Sequence, residues 1–263
     1  MTRPKVPAPP YPSSHGLLAG KTVLVTAAAG TGIGFATARR CAEEGARVML
    51  SDLHERRLGE SAAELERLTG RKPATQLCDV TNEAQVQALV KAAIAELGHL
   101  DVLVNNAGLG GHANVVDTTD EMWLKILDVT LNGTFRMTRA VLPHMLARKR
   151  GAIVNNASVL GWRAQAGQAA YGAAKAGVMA LTRSAAMEAA AAGVRVNCVS
   201  PSLATHPFLA KVMPQELLDE LERGEAFGRG AEPWEVANTI VFLASDYAGY
   251  MTGEVLSVSS QHP

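Results

Sequence analysis

The sequence predicts an α/β fold, a single Rossmann-type domain built on a doubly wound parallel sheet of about seven strands. Three observations predict it. From Gly20 onward, short β-rich runs alternate with helical stretches. A glycine cluster, Gly30, Gly32 and Gly34, lies between the first run and the first helix, and the acidic Asp52 follows the second run. Right-handed crossovers between parallel strands place ligands at the carboxyl ends of the strands, so the chemistry is expected there.

Taken in order, residues 1–19 are crowded with Pro4, Pro7, Pro9, Pro10 and Pro12, which exclude helix and disfavour a central strand. That segment is expected to be a mobile or surface-draped tail, with the dinucleotide-binding domain at 20–263. The run at 22–26 predicts the first strand, the helix at 35–44 stops at Gly45, and a strand at 47–50 delivers Asp52, closing a βαβ unit. Later strands are predicted at 75–77, 102–105, 152–156, 195–199 and 255–258. Helices are predicted at 83–97, 120–148, 169–191, 214–225 and 233–245.

Tyr171 and Lys175 fall one turn apart on one face of an Ala-rich helix. An ammonium beside the phenol favours phenolate and draws its pKa from about 10 towards working pH, which makes Tyr171 an acid/base candidate. Ser158, at the end of the preceding strand, can donate to and accept from an oxygen shared with the tyrosine. Together they would grip a carbonyl or alcohol oxygen. Gly30, Gly32, Ile33 and Gly34 would bring backbone and helix N-terminus to a pyrophosphate. The Asp52 carboxylate would accept from ribose hydroxyls and repel a 2′-phosphate, and no basic residue lies between Thr26 and Gly34, so the cofactor leans to NAD(H) over NADP(H).

Composition narrows the partners. Lysine plus arginine equals aspartate plus glutamate at 25 each, so no net field favours nucleic acid or an anionic membrane, and a small-molecule substrate fits better. No apolar run of roughly 18 residues exists, and the N-terminus lacks the apolar centre of a signal peptide. Cys41, Cys78 and Cys198 are odd in number and widely separated, as expected of reduced core residues in a cytoplasmic protein rather than a disulfide or metal framework. His112, His144 and His206 share no ligand spacing.

With these motifs in this order, the chain from Leu18 onward resembles the short-chain dehydrogenase/reductase family. The resemblance assigns Ser158, Tyr171 and Lys175 to catalysis, with Lys175 also on the ribose. It assigns Asp79 and Val80 to the adenine, Asn106, Ala107 and Gly108 to bracing the cofactor cleft, and Pro201 and Thr205 to the nicotinamide side. Trp162, Arg163, His206, Phe208 and Met213 are expected around the substrate. Three departures stand out: Thr130 replaces an asparagine that holds a water of the proton relay, Ser202 replaces a glycine, and Ser259-Ser260-Gln261 replaces Asp-Gly-Gly. Assembly is implied as a homotetramer or homodimer through the helices at 120–148 and 169–191 and the last strand. The stretches 26–34, 155–165, 226–237 and 250–261 look like actinobacterial members linked to steroid-ring or acyl-CoA catabolism. The implied activity is hydride transfer between NAD(H) and a secondary alcohol or ketone on a bulky alicyclic or acyl-CoA substrate. The alternatives are a 3-oxoacyl thioester reductase using NADP(H) and a non-catalytic dinucleotide-binding scaffold.

Overall fold

A computed structural model describes residues 5–206, 209 and 215–260. Phe208 and Met213, expected around the substrate, lie outside the described residues.

Alternating side chains build a core on each face of one sheet. The strands are β1 (Thr22–Val25), β2 (Arg47–Asp52), β3 (Ala74–Leu77), β4 (Val102–Asn105), β5 (Gly151–Asn156), β6 (Val194–Pro201) and β7 (Val255–Val258). All pairs are parallel, in the order β3-β2-β1-β4-β5-β6-β7, so the order reverses beside β1 and opens a crevice at the carboxyl ends of β1 and β4. Val23 sits level with Val48 and Val102. That row faces one core, with α1 (Ile33–Glu43) and a late helix at Pro233–Ala244. Leu24, Met49, Leu103 and Ile153 face the other, with α3 (Glu83–Leu97) and α5 (Gly133–Arg148).

Two helical features differ from the expectation. The sequence pattern predicts no helix between the second and third strands, yet α2 (Glu55–Thr69) fills that crossover; it buries only Leu58, Ser61 and Leu65, a stripe too narrow to stand out among its charges. The predicted single helix over 120–148 is instead α4 (Asp120–Leu127), one wide turn at Asp128–Asn132, and α5. In that turn the Gly133 N–H reaches back five residues to the Asp128 carbonyl, and Thr130 is fully buried at its centre. Gly133 is required there, since a side chain would strike Val80. The remaining helices are α6 (Ala169–Ala189), α7 (Gln215–Gly224) and α8 (Pro233–Ala244).

Residues 5–19 lie against the domain. The Tyr11 hydroxyl donates to Glu43 at 2.6 Å, and its ring meets Trp234 edge-on at 5.4 Å, with the Arg39 guanidinium 4.6 Å from its centre. Burial and the Glu43 carboxylate push the Tyr11 phenol up to about 12. The buried Glu44 carboxylate accepts the His15 and Leu17 N–H groups and pairs with Arg40. Farther out, the Val6 N–H donates to the Phe227 carbonyl at 2.9 Å.

Candidate active site

The loop after β1 is anchored by the neighbouring βα unit. The Ala28 N–H donates to the Ser51 carbonyl, Ala29 to Asp52 Oδ2 at 3.1 Å, and Gly30 to Ser61 Oγ at 3.0 Å. Gly30 has φ +95°, which a glycine tolerates, and any side chain at Gly34 would hit the Ala27 carbonyl and the Asn106 amide. Gly32 caps α1 without a side-chain partner, so the first N–H groups of that helix face the crevice and suit an anion. The Asp52 oxygens accept Ala29 N–H and His54 N–H, each keeping a lone pair for a ribose hydroxyl. Burial pushes the Asp52 carboxyl up, while the Ala29 N–H and the charge of Arg57 pull it back. These residues fit a dinucleotide. Ser61 and Arg57 were invisible without α2.

A ladder of amides joins this loop to the middle of the sheet. The Asn106 and Ala107 N–H groups donate to Thr26 Oγ1, and Asn106 Nδ2 donates to the Thr26 and Ala27 carbonyls. Deeper, Asn105 Nδ2 bridges to Asn155 Oδ1 and Thr138 Oγ1. Asp79 closes its own turn by accepting Thr81 N–H and Oγ1, and Val80 packs against Gly133. Pro201 ends β6; four residues on, the Thr205 N–H donates to the Ala231 carbonyl.

Ser158 and Lys175 converge on Tyr171. Ser158 follows β5, accepts Leu160 N–H at 3.3 Å and stands near enough to the half-buried Tyr171 phenol to act on its ionisation. Lys175 is only 3% exposed; its ammonium donates to the Asn156 carbonyl at 2.6 Å and lies 5.6 Å from the Tyr171 ring centre. A methyl group at Gly108 would come within 3.3 Å of that ammonium, so glycine leaves room for the lysine head. Burial pushes Lys175 down to about 8 and pushes the Tyr171 phenol up, with the Ser158 hydroxyl pulling the phenol back. Here the expectation that the ammonium lowers the phenol's pKa needs correction: desolvation dominates at Tyr171, and Ser158, not Lys175, opposes it.

Thr130 does come to this centre, but its hydroxyl is engaged. It accepts Leu109 N–H at 2.9 Å and donates to the Leu109 carbonyl at 3.2 Å, holding the loop that carries Gly108. Asn132 bonds Asp128 instead of turning inward. Trp162, 46% exposed, and Arg163 stand on the short turn after Ser158. His206, expected on the substrate side, lies against the glycine loop: a Cβ on Gly32 would meet its ring at 3.8 Å. Sequence reasoning missed Asn156; an amide on the last residue of a central strand was the available signal. Among the described residues no acidic, histidine and cysteine cluster could hold a metal, and no helix is long and apolar enough to cross a membrane. Cys41, Cys78 and Cys198 are buried free thiols, pushed up by burial to about 12, about 11 and about 11.

The relatives share this frame. A family model described as enoyl-(acyl carrier protein) reductase matches residues 27–260. Over 257 residues, 97% of this chain and 98% of the relative, the chain is 63% identical to the (5R,7aS)-5-hydroxy-7a-methyl-1-oxo-2,3,5,6,7,7a-hexahydro-1H-indene-carboxyl-CoA reductase of Mycobacterium tuberculosis. It is 38% identical over 241 residues to a 3-oxoacyl-(acyl-carrier-protein) reductase of Thermotoga maritima, covering 92% of this chain and 97% of that relative. A solved short chain dehydrogenase from Mycobacterium smegmatis, 56% identical, superposes with a TM-score of 0.87 over 98% of this chain and 99% of that one. With the parallel seven-stranded sheet and the glycine-loop crevice already in view, these matches show that the chain belongs to the short-chain dehydrogenase/reductase family, oxidoreductases that use a nicotinamide dinucleotide.

Proposed function

We propose that this protein interconverts a secondary alcohol and a ketone on a bulky alicyclic substrate carried as a coenzyme A thioester, with NAD(H) as the hydride partner. The observation that carries the reading is the convergence on Tyr171 of Ser158, which acts on its phenol, and of the buried Lys175 ammonium, 5.6 Å from its ring centre and one turn along the same helix. When bound, the nicotinamide supplies or takes up the hydride. Tyr171 gives a proton to, or takes one from, the substrate oxygen, and Ser158 orients that oxygen. The Lys175 ammonium, beside the Tyr171 ring, would meet a ribose hydroxyl. Gly30, Gly32, Ile33 and Gly34 hold the pyrophosphate, Asp52 the adenosine ribose, Asp79 and Val80 the adenine, and Asn106, Ala107 and Gly108 keep the cleft in register. Pro201 and Thr205 border the nicotinamide. Thr130 positions the Gly108–Leu109 loop beneath Lys175. Trp162 and Arg163 present an aromatic face and a cation at the mouth, surfaces suited to a ring system and an anionic carrier.

The substrate class follows the 63% identical relative, whose name specifies a hydroxylated bicyclic ring carrying a carboxyl-CoA. We also infer pairing of subunits through α5 and α6, where Phe135 and Met187 are exposed, 43% and 80%.

One observation favours a second reading, a 3-oxoacyl thioester reductase using NADP(H). Arg57 stands close enough to Asp52 to act on its charge, and could attract a 2′-phosphate. Equilibrium titration of NADH and NADPH separates the two. NADH should bind tighter to the parent, and Asp52→Ala should narrow the difference by removing repulsion and ribose bonds together. Tighter NADPH binding by the parent would establish the second reading instead.

A further inference from the structure

Asn156 stands where two networks of the site meet. Pleating sends the side chain of its neighbour Asn155 to the α6 face, where Nδ2 donates to Thr182 Oγ1 at 2.9 Å. Asn156 therefore projects from the opposite face, and its Nδ2 donates to Asn106 Oδ1 at 2.9 Å. The orientation of that pair is fixed by its surroundings. Asn106 Nδ2 faces the carbonyls of Thr26 and Ala27, which leaves Asn106 only its oxygen to offer. Asn156 must answer with its nitrogen, and its own Oδ1 is then a buried acceptor with no protein partner. The main chain of the same residue holds the other network, since its carbonyl accepts the Lys175 ammonium at 2.6 Å.

We infer that Asn156 is a positioning residue that locks the dinucleotide cleft and Lys175 into one register, its side chain gripping Asn106 and its main chain gripping the ammonium. The inference rests on the dinucleotide reading above. The chain of contacts is short. From the Thr26 and Ala27 carbonyls just after β1 it passes through Asn106 to Asn156, and from Asn156 directly to the lysine. A shift of the glycine loop thus pulls on the strand end that holds the ammonium, and a misplaced ammonium pulls back on the loop.

Fluorescence titration of the full chain with NADH tests this without turnover. Asn156→Val keeps a strand-forming side chain and removes the amide. NADH should bind about 5-fold more weakly, the scale of one lost hydrogen bond. In turnover, kcat normalised to the folded fraction should fall while KM for the alcohol or ketone moves less than about twofold; normalising removes the loss that destabilisation alone would cause. In a double-mutant cycle, Asn106→Ala with Asn156→Val should bind NADH no more weakly than Asn106→Ala alone, because the two residues act through one contact. Asn156→Asp, nearly isosteric, should show the same loss as the valine variant, since its carboxylate meets an acceptor; it serves if the valine variant fails to fold. Parental NADH affinity in a folded Asn156→Val or Asn156→Asp, or additive losses in the cycle, would overturn the inference. A parent protein that binds neither NADH nor NADPH would overturn the dinucleotide reading and this inference with it.

Discussion

Thr130→Val separates a structural from a proton-carrying role for the residue that departs from the family pattern. Valine keeps the branched shape and deletes the hydroxyl, which bonds both backbone groups of Leu109, at 2.9 and 3.2 Å. Two lost hydrogen bonds at about 1 kcal/mol each give a destabilisation of about 2 kcal/mol. For a domain of this size that lowers the melting temperature by roughly 4–8 °C. Thr130→Ser retains the hydroxyl and should recover most of the loss. Urea unfolding of the parent and both variants measures it, with turnover recorded across pH. The valine variant should lose turnover through a loosened Gly108–Leu109 loop, with its pH profile unmoved. The reasoning is refuted if Thr130→Val unfolds within about 0.5 kcal/mol of the parent while its pH profile shifts, for then the hydroxyl carries protons instead of holding the loop.

Tyr171→Phe removes the ionisable oxygen and keeps the ring; turnover should fall at least ~10²-fold, as for loss of a general acid/base, while NADH still binds by fluorescence titration. Lys175 makes stability depend on pH. Burial lowers its pKa in the fold from 10.5 to about 8, so between those values the unfolded chain holds more protons and stability rises with pH. Below about 8 the buried ammonium weighs on the fold, by up to roughly 3 kcal/mol before its bond to Asn156 is counted. Urea unfolding from pH 7 to 10.5 should show the parent gaining stability relative to Lys175→Met, and parallel curves would contradict the depressed value. His206→Ala should change the affinity for ADP-ribose and leave KM for the alcohol or ketone within about twofold, because the ring lies against Gly32; the reverse pattern would return His206 to the substrate side.

What could be read from the sequence was whatever local chemistry dictates. The central strands announce themselves because they are buried on both faces, as in 102–105, wholly apolar before Asn105; the edge run 255–258 matches β7 residue for residue although its Ser257 is exposed. The Tyr171–Lys175 spacing carries its own geometry, since a helix places those positions on one face. What depends on packing at a distance stayed hidden. Helix α2 is stabilised by two leucines and a serine, too few to make a period, and with it Ser61 and Arg57 were lost from the glycine loop. The wide turn at Thr130 arises where Gly133 admits Val80, a contact across 53 positions that no window of sequence contains. The direction of the Tyr171 shift was missed for the same reason: spacing shows that an ammonium is near, whereas desolvation depends on every element packed around the phenol.

The most direct test of the central claim is nicotinamide absorbance during turnover of a hydroxylated alicyclic carboxyl-CoA thioester. The matching free acid and a 3-hydroxyacyl thioester are run beside it, each with NAD and with NADP. The account predicts reduction of NAD by the alicyclic thioester, with kcat/KM at least about tenfold above that with NADP and above that of the free acid, and loss of the signal in Tyr171→Phe. Turnover confined to NADP and the 3-hydroxyacyl thioester, or a rate with the alicyclic thioester no greater than that of Tyr171→Phe, would contradict it.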